Sequence, residues 1–300
     1  MALSKLSEDE AGIIFGQLRN VLDPGVAVAL SSASRGLRVL ALALLQQLRD
    51  EHEAAAELCH KSRLRSCKAL RETKVAVWWD DGITATDLAT LGTLGSVLPA
   101  LETLVLIEHS STVGPDGVQR LAAGLGAGAL PSVTWLTVGM HAGDAGASAL
   151  ADALGRGALP RLKTLDLFRT AIGDAGLAAL APALRRMPTL ELLAFDGNPL
   201  SDEGLAALVA PPPPAGAPPA PASGVLAKLE KLSLEQTQIT DAGCAALAAA
   251  LESGALPALR TLYLSHIPAS AAAVASVYRA RDTLDEESGS ESEADEVEAD

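Results

Sequence analysis

The sequence predicts an α/β solenoid, a horseshoe arc with a parallel sheet inside and helices outside. Three observations carry this. Apolar pairs two residues apart recur along the chain at a near-constant spacing. Each pair leads into a stretch whose apolar residues fall at helical spacing. Aromatics are only 3% of a 300-residue chain that is 49% hydrophobic, so its core must be built from Leu, Ala and Val in many small, similar layers.

The pairs are Val75/Val77, Leu104/Leu106, Leu136/Val138, Leu165/Leu167, Leu193/Phe195, Leu232/Leu234 and Leu262/Leu264. Their first members lie 29, 32, 29, 28, 39 and 30 residues apart. The long fifth interval holds the Pro-rich stretch 211–221, read as a stiff exposed loop. In an L-x-L step the two leucines share one face and the residue between them takes the other, which is the period of a strand. Leu177, Leu180 and Leu184 then follow helical spacing. Asp174, Asp202 and Asp241 precede such helices and are expected to cap their first turns. Gly157-Ala158-Leu159-Pro160 punctuates the return to the next strand. A single unit cannot bury its apolar side, but stacked units can.

Leu190, Leu193, Phe195, Asn198 and Leu200 spell L-x-x-L-x-L-x-x-N-x-L, which resembles the leucine-rich repeat. The unit length is similar to that of the ribonuclease-inhibitor-like class. The resemblance covers about residues 70–280 and implies a leucine-rich-repeat solenoid over 71–281. It specifies fold and leaves function open. The Asn198 position is Thr170 and Thr237 in the flanking units, and falls on His109 and His141 in two looser ones.

Residues 1–70 read as an N-terminal helical region. Leu6, Ile13, Ile14, Phe15, Leu18 and Leu22 form an apolar face, Asp23-Pro24-Gly25 breaks it, and Val28–Leu48 resumes it. Two readings stand. One is a cap that shields the first repeat. The other is a weak similarity to an F-box, which would recruit a ubiquitin-ligase adaptor through residues 6–38 and make the chain a substrate receptor. Ser7 and Leu37 stand where that family usually has Pro and Trp. Lys61, Arg63, Arg65, Lys68, Arg71 and Lys74 form a basic run, read as a solvated helix face. Residues 282–300 are expected to be a disordered acidic tail. In that tail Ser288, Ser290 and Ser292 each precede an acidic residue by three places, as at sites of acid-directed kinases.

The formal charge of −14 is concentrated in that tail, so the nearly neutral body argues against nucleic-acid binding. Cys59, Cys67 and Cys244 form no C-x-x-C pair and read as reduced core thiols. The sequence offers no metal site and no cofactor motif. Neither an apolar signal core nor a membrane-length apolar run is found, so a cytoplasmic or nuclear location is expected. P-loop, dinucleotide, G-x-S-x-G and H-E-x-x-H motifs are missing, and the chain reads as non-enzymatic. Function is expected on the concave face, where Trp78, Ile107, Trp135, Asp166, Phe168, Arg169, Asp196, Glu235 and Tyr263 would contact an unidentified protein. A catalytic alternative is the Ran GTPase-activating protein family, which combines such repeats with an acidic tail; Arg169 is the nearest candidate for its catalytic arginine.

Overall fold

The computed structural model describes residue 14 and residues 20–32, 35–62, 64, 66–109, 113–209 and 226–294, with side chains outside 35–41 and as far as Asp282. Among these residues seven strands form one parallel sheet: β1 (Val75–Trp79), β2 (Thr103–Ile107), β3 (Trp135–Gly139), β4 (Thr164–Asp166), β5 (Leu192–Ala194), β6 (Lys231–Ser233) and β7 (Thr261–Tyr263). Their spatial order is their sequence order. Each connection carries a helix: α4 (Ala85–Leu94), α5 (Gly114–Gly124), α6 (Gly143–Gly155), α7 (Asp174–Leu184), α8 (Asp202–Val209) and α9 (Asp241–Glu252). A last helix, α10 (Ala271–Ala294), follows β7. Consecutive helices pack on one another, as consecutive strands pair, which is the stacking of a solenoid.

Leu104, Leu136, Leu165, Leu193, Leu232 and Leu262 align as lateral partners across the strands. With Leu106, Val138, Leu167, Phe195, Leu234 and Leu264 they form the wall of one continuous core, which each helix closes with its own apolar stripe. Burying one such side chain is worth about 1.5–3 kcal/mol. Polar side chains inside the core serve the turns. Asn198 Nδ2 donates to the carbonyls of Leu167 (2.7 Å) and Phe195 (2.9 Å). Its Oδ1 accepts from Thr170 N (3.1 Å), Thr170 Oγ1 (3.0 Å) and Ile172 N (3.0 Å). Thr170 and Thr237 are buried at the same place; the Thr237 hydroxyl donates to a carbonyl three residues back, and the Thr170 hydroxyl shares its one proton between the Leu167 carbonyl and Asn198 Oδ1. His109 and His141 are exposed, so they do not continue this buried row.

The aspartates at the helix starts act across repeats. Asp144 accepts from Gly173 N (2.7 Å) and Gly176 N (3.0 Å) of the next unit. Asp174 accepts from Ser201 N (2.7 Å) and Gly204 N (3.0 Å). Asp202 holds Thr240 N (2.8 Å), and Asp241 holds the Ser270 backbone and hydroxyl. The expectation that Asp174, Asp202 and Asp241 cap their own helices is therefore corrected. Each sits in the first turn of its helix, with its carboxylate placed at the positive end of the following helix dipole. The Asp-x-Gly spacing has a steric reason. A Cβ on Gly204 would lie 2.5 Å from Asp174 Oδ1, and one on Gly243 would lie 2.2 Å from Asp202 Oδ1.

Before β1 lie α1 (Gly25–Ser32), α2 (Arg35–Lys61) and α3 (Cys67–Glu72). Helix α2 packs against α4, and Lys61 Nζ reaches Asp87 at 2.6 Å. Asp87 also receives the Thr84 N–H and hydroxyl, closing a capping box on α4. Its carboxyl is held below the ordinary range: burial pushes it up, but the bonds from Lys61 and Thr84 outweigh that. Cys59 and Cys67 are buried free thiols whose sulfurs are 4.0 Å apart, and burial pushes the Cys59 thiol up to about 12. Cys244 is also a buried free thiol. Most of the basic run is paired: Lys61 with Asp87, Lys68 with Glu72, Arg71 with Asp23 and Lys74 with Glu102. Arg63 and Arg65 lie outside the described residues, as do most of the F-box-like apolar face and the Pro-rich stretch 211–221. The acidic segment differs from expectation. Its backbone continues α10 as far as Ala294, so Ser288, Ser290 and Ser292 are helical, and residues 295–300 lie outside the described part. Val277, Ala280 and Tyr278 anchor the start of that helix on the core, which supplies its nucleus.

Candidate functional site: the concave sheet face

Alternate residues of each strand face away from the core. In β1 these are Val75, Val77 and Trp79, since the burial alternates exposed and buried from Val75 onward. Ala76 pairs with Leu104 and Trp78 with Leu106, so they are the core positions of this strand. Trp78 is 0% exposed, which corrects its expected place on the concave face. The apolar pair Val75/Val77 misled the reading by one residue, and a one-residue slip reverses every side chain of a strand. The ring that reaches solvent is Trp79, 58% exposed. The signal that would have found it is the interval from Ala76 to Leu104, which equals that from Leu165 to Leu193.

Trp135 and Tyr263 are exposed, 44% and 48%, as expected of outward rings. Trp135 Nε1 donates to Thr137 Oγ1 (2.9 Å), which lays the indole along its own strand. Phe168 is half-buried. A Cβ at Gly139 would lie 2.6 Å from the Phe168 ring and 3.1 Å from Ile107 Cγ1, so the ring occupies the space above Gly139. Ile107, expected on the open face, is 5% exposed. It stands in the concave row, paired with Trp79 and Gly139, but is covered there.

The polar members come together at the end of β4 and on the bends that follow β4, β5 and β6. Asp166, Asp196 and Glu235 line one shallow pocket of about 380 Å³ with Trp135, Phe168 and Arg169. Asp166 Oδ1 accepts from Phe168 N (3.2 Å). Asp196 Oδ1 accepts from Ser233 Oγ (2.6 Å) and Glu235 N (2.8 Å). Glu235 Oε1 accepts from the Ser265 hydroxyl. Burial raises the Asp166 carboxyl to about 6, with the Phe168 N–H opposing and the Asp196 charge adding to the rise. Arg169 is exposed, and its backbone is left-handed (φ 50°) at the bend leaving β4. The same bend recurs at Gln236 (φ 55°) and His266 (φ 58°), so it belongs to the repeat.

A second pocket, of about 420 Å³, lies at the bends beyond β2 and β3, lined by Glu108, His109, Met140, His141, Phe168 and Arg169 among others. His109 Nδ1 lies 3.0 Å from the Asp80 carboxylate, whose pKa the His109 backbone N–H and ring hold below the ordinary range. Among the described residues no group of three or more His, Cys, Asp or Glu is placed to hold a metal ion. No helix among them is long and apolar enough to cross a membrane.

A family model described as a leucine-rich repeat matches residues 159–181, 186–209 and 225–248. These three segments carry leucine-rich repeats. The matched segments are the units that contribute β4, β5 and β6, the part carrying the acidic pocket. The solved structures similar to this chain include the following two. One is a leiomodin-1 actin-binding site 2 chain, at 13% identity and a TM-score of 0.40, over 72% of this chain and 97% of that one. The other is an internalin of Listeria monocytogenes, at 18% identity and a TM-score of 0.33, over 67% of this chain and 51% of that one. This chain thus spans about half of the internalin. No curated protein matches the sequence.

Proposed function

We propose that this leucine-rich-repeat protein is a non-enzymatic scaffold that holds a partner protein on its concave sheet face. The observation that carries the reading is the exposure of Trp79, Trp135 and Tyr263 together with Val75 and Val77 on one open face of a sheet whose other face is fully packed. The apolar surface that these side chains leave in water on a rigid parallel sheet does not stabilise the fold. Their burial by a partner is worth about 25 cal/mol per Å² before association costs. Tryptophan and tyrosine are the side chains that most often dominate such interfaces. Phe168 and Ile107 pack the floor of the face and Asp166, Asp196, Arg169 and Glu235 give it polarity. The partner reading needs no cofactor and no metal.

The test is a triple substitution, Trp79→Ala, Trp135→Ala and Tyr263→Ala, compared with the unaltered chain in cross-linking affinity purification from cells. All three rings are exposed, so thermal unfolding should stay within about 0.5 kcal/mol per site of the parent. Partners captured by the parent should be absent from the variant. Equal recovery from a variant that unfolds normally would place binding elsewhere on the molecule.

A further inference from the structure

The concave face is divided in its chemistry. Toward β1 it is apolar, with Val75, Val77, Trp79 and Trp135 exposed. Toward β6 it is acidic, with Asp166, Asp196 and Glu235 around one pocket. Each of these carboxylates is fixed by hydrogen bonds to one oxygen only: Asp166 Oδ1, Asp196 Oδ1 and Glu235 Oε1. Among the described residues the second oxygen of each accepts nothing, so three carboxylates are positioned by the fold and left with an oxygen to offer. Arg169 lines the pocket but forms no ion pair with them; its side chain lies against Gly197. The walls of the same pocket include Trp135 and Phe168, and a cation beside such rings is attracted by their faces.

Building on the reading of this face as a partner-binding surface, we propose its occupant. It is a linear segment of a partner protein that seats an arginine or lysine between Trp135, Phe168 and the carboxylates of Asp166, Asp196 and Glu235, and runs apolar side chains from there toward β1. Arginine suits the site better, since a planar guanidinium bonds two carboxylate oxygens at once while stacking on a ring. The reach is fixed by the sheet. From β1 to β5 is four strand spacings, about 19 Å, which an extended segment covers in about six residues and a helix in about thirteen. An acidic segment would bring like charges together at the pocket, and a wholly apolar one would strip water from three carboxylates without replacing it.

The probe is a phage-displayed library of random linear peptides panned against the full-length chain. The proposal expects enriched peptides to carry arginine or lysine beside aromatic or aliphatic residues. Their affinity should fall about tenfold or more in Asp196→Asn with Glu235→Gln, a pair that keeps the internal hydrogen-bond acceptors, and should weaken with salt. Trp79→Ala should weaken the same peptides. Enrichment of acidic or uncharged peptides that still lose binding with Trp79→Ala overturns the basic occupant while leaving the concave-face reading standing. Enriched peptides indifferent to every one of these substitutions overturn both. An absence of enriched peptides overturns the proposal of a linear occupant, whereas the purification test above still decides the concave-face reading.

Discussion

Asn198 shows how much one side chain can hold in a solenoid. It satisfies five bonds in a buried turn, joining the β5 bend to the β4 bend. Asn198→Ala would leave the buried N–H groups of Thr170 and Ile172 without an acceptor, and is expected to cost about 3–5 kcal/mol in urea unfolding. Asp166 behaves oppositely. Its folded pKa of about 6 stands above the ordinary 3.8, so the folded chain holds that proton more tightly than the unfolded one. The stabilisation is complete below the ordinary value and lost as pH rises through about 6. Asp166→Asn should therefore remove that pH dependence and stabilise the chain at neutral pH, by about 1 kcal/mol once solvent screening of this partly exposed group is allowed for. The same change should weaken a basic ligand, so a gain in unfolding free energy with a loss of peptide affinity is the expected pair of results. An unchanged pH profile would show that Asp166 is not strained by its surroundings. Trp78 and Trp79 show what the sequence conceals at this scale. Two adjacent tryptophans after two valines fit either register, and the buried one even leaves its indole N–H without a partner among the described residues.

The helices are joined by their aspartates more than by their own caps. Asp144, Asp174, Asp202 and Asp241 each reach the start of the next helical segment, and Gly176, Gly204 and Gly243 leave room for the carboxylate. Asp174→Ala should cost about 1–2 kcal/mol by freeing the Ser201 and Gly204 N–H groups. Gly204→Ala should cost about 1–3 kcal/mol by expelling that carboxylate. Because both break one rung, the double variant should cost at least about 1 kcal/mol less than the sum, as read from a double-mutant cycle. Strict additivity would mean that glycine is there for some other reason. The Asp-x-Gly spacing was visible in the sequence, but its direction was not. An aspartate at a helix start has a local use that explains it well enough, and only stacking brings the next helix within 3 Å of it. The acidic end of α10 teaches the same lesson in reverse: composition favours disorder, yet a helix already anchored on the core at Val277 and Ala280 extends without a new nucleus.

Across the whole molecule the repeat absorbs irregularity at one place. Strands β5 and β6 pair Leu193 with Leu232 although their interval is the longest of the series. Leu226, just past the insertion, takes the left-handed bend (φ 55°) found at Leu159 (φ 54°) and Leu256 (φ 56°). Elsewhere that bend follows its helix after a short link such as Ser253-Gly254-Ala255. Replacing residues 210–225 with Ser-Gly-Ala should thus preserve the sheet and stabilise it by about 1 kcal/mol through the shorter loop. A chain that loses cooperative unfolding after this change would show that the insertion is structural.

By itself the sequence determined the solenoid, the parallel sheet, six of the seven core registers and the placing of Trp135 and Tyr263 in water. These follow from leucines at a fixed period, and the energy of burying them leaves few alternatives. The tertiary structure decided which of two adjacent tryptophans is exposed. It also decided that Phe168 folds over Gly139, that Ile107 is buried, and that aspartates bridge repeats. Those outcomes depend on which atoms a neighbouring unit presents, at separations near thirty residues along the chain, and periodicity within a unit carries no record of them.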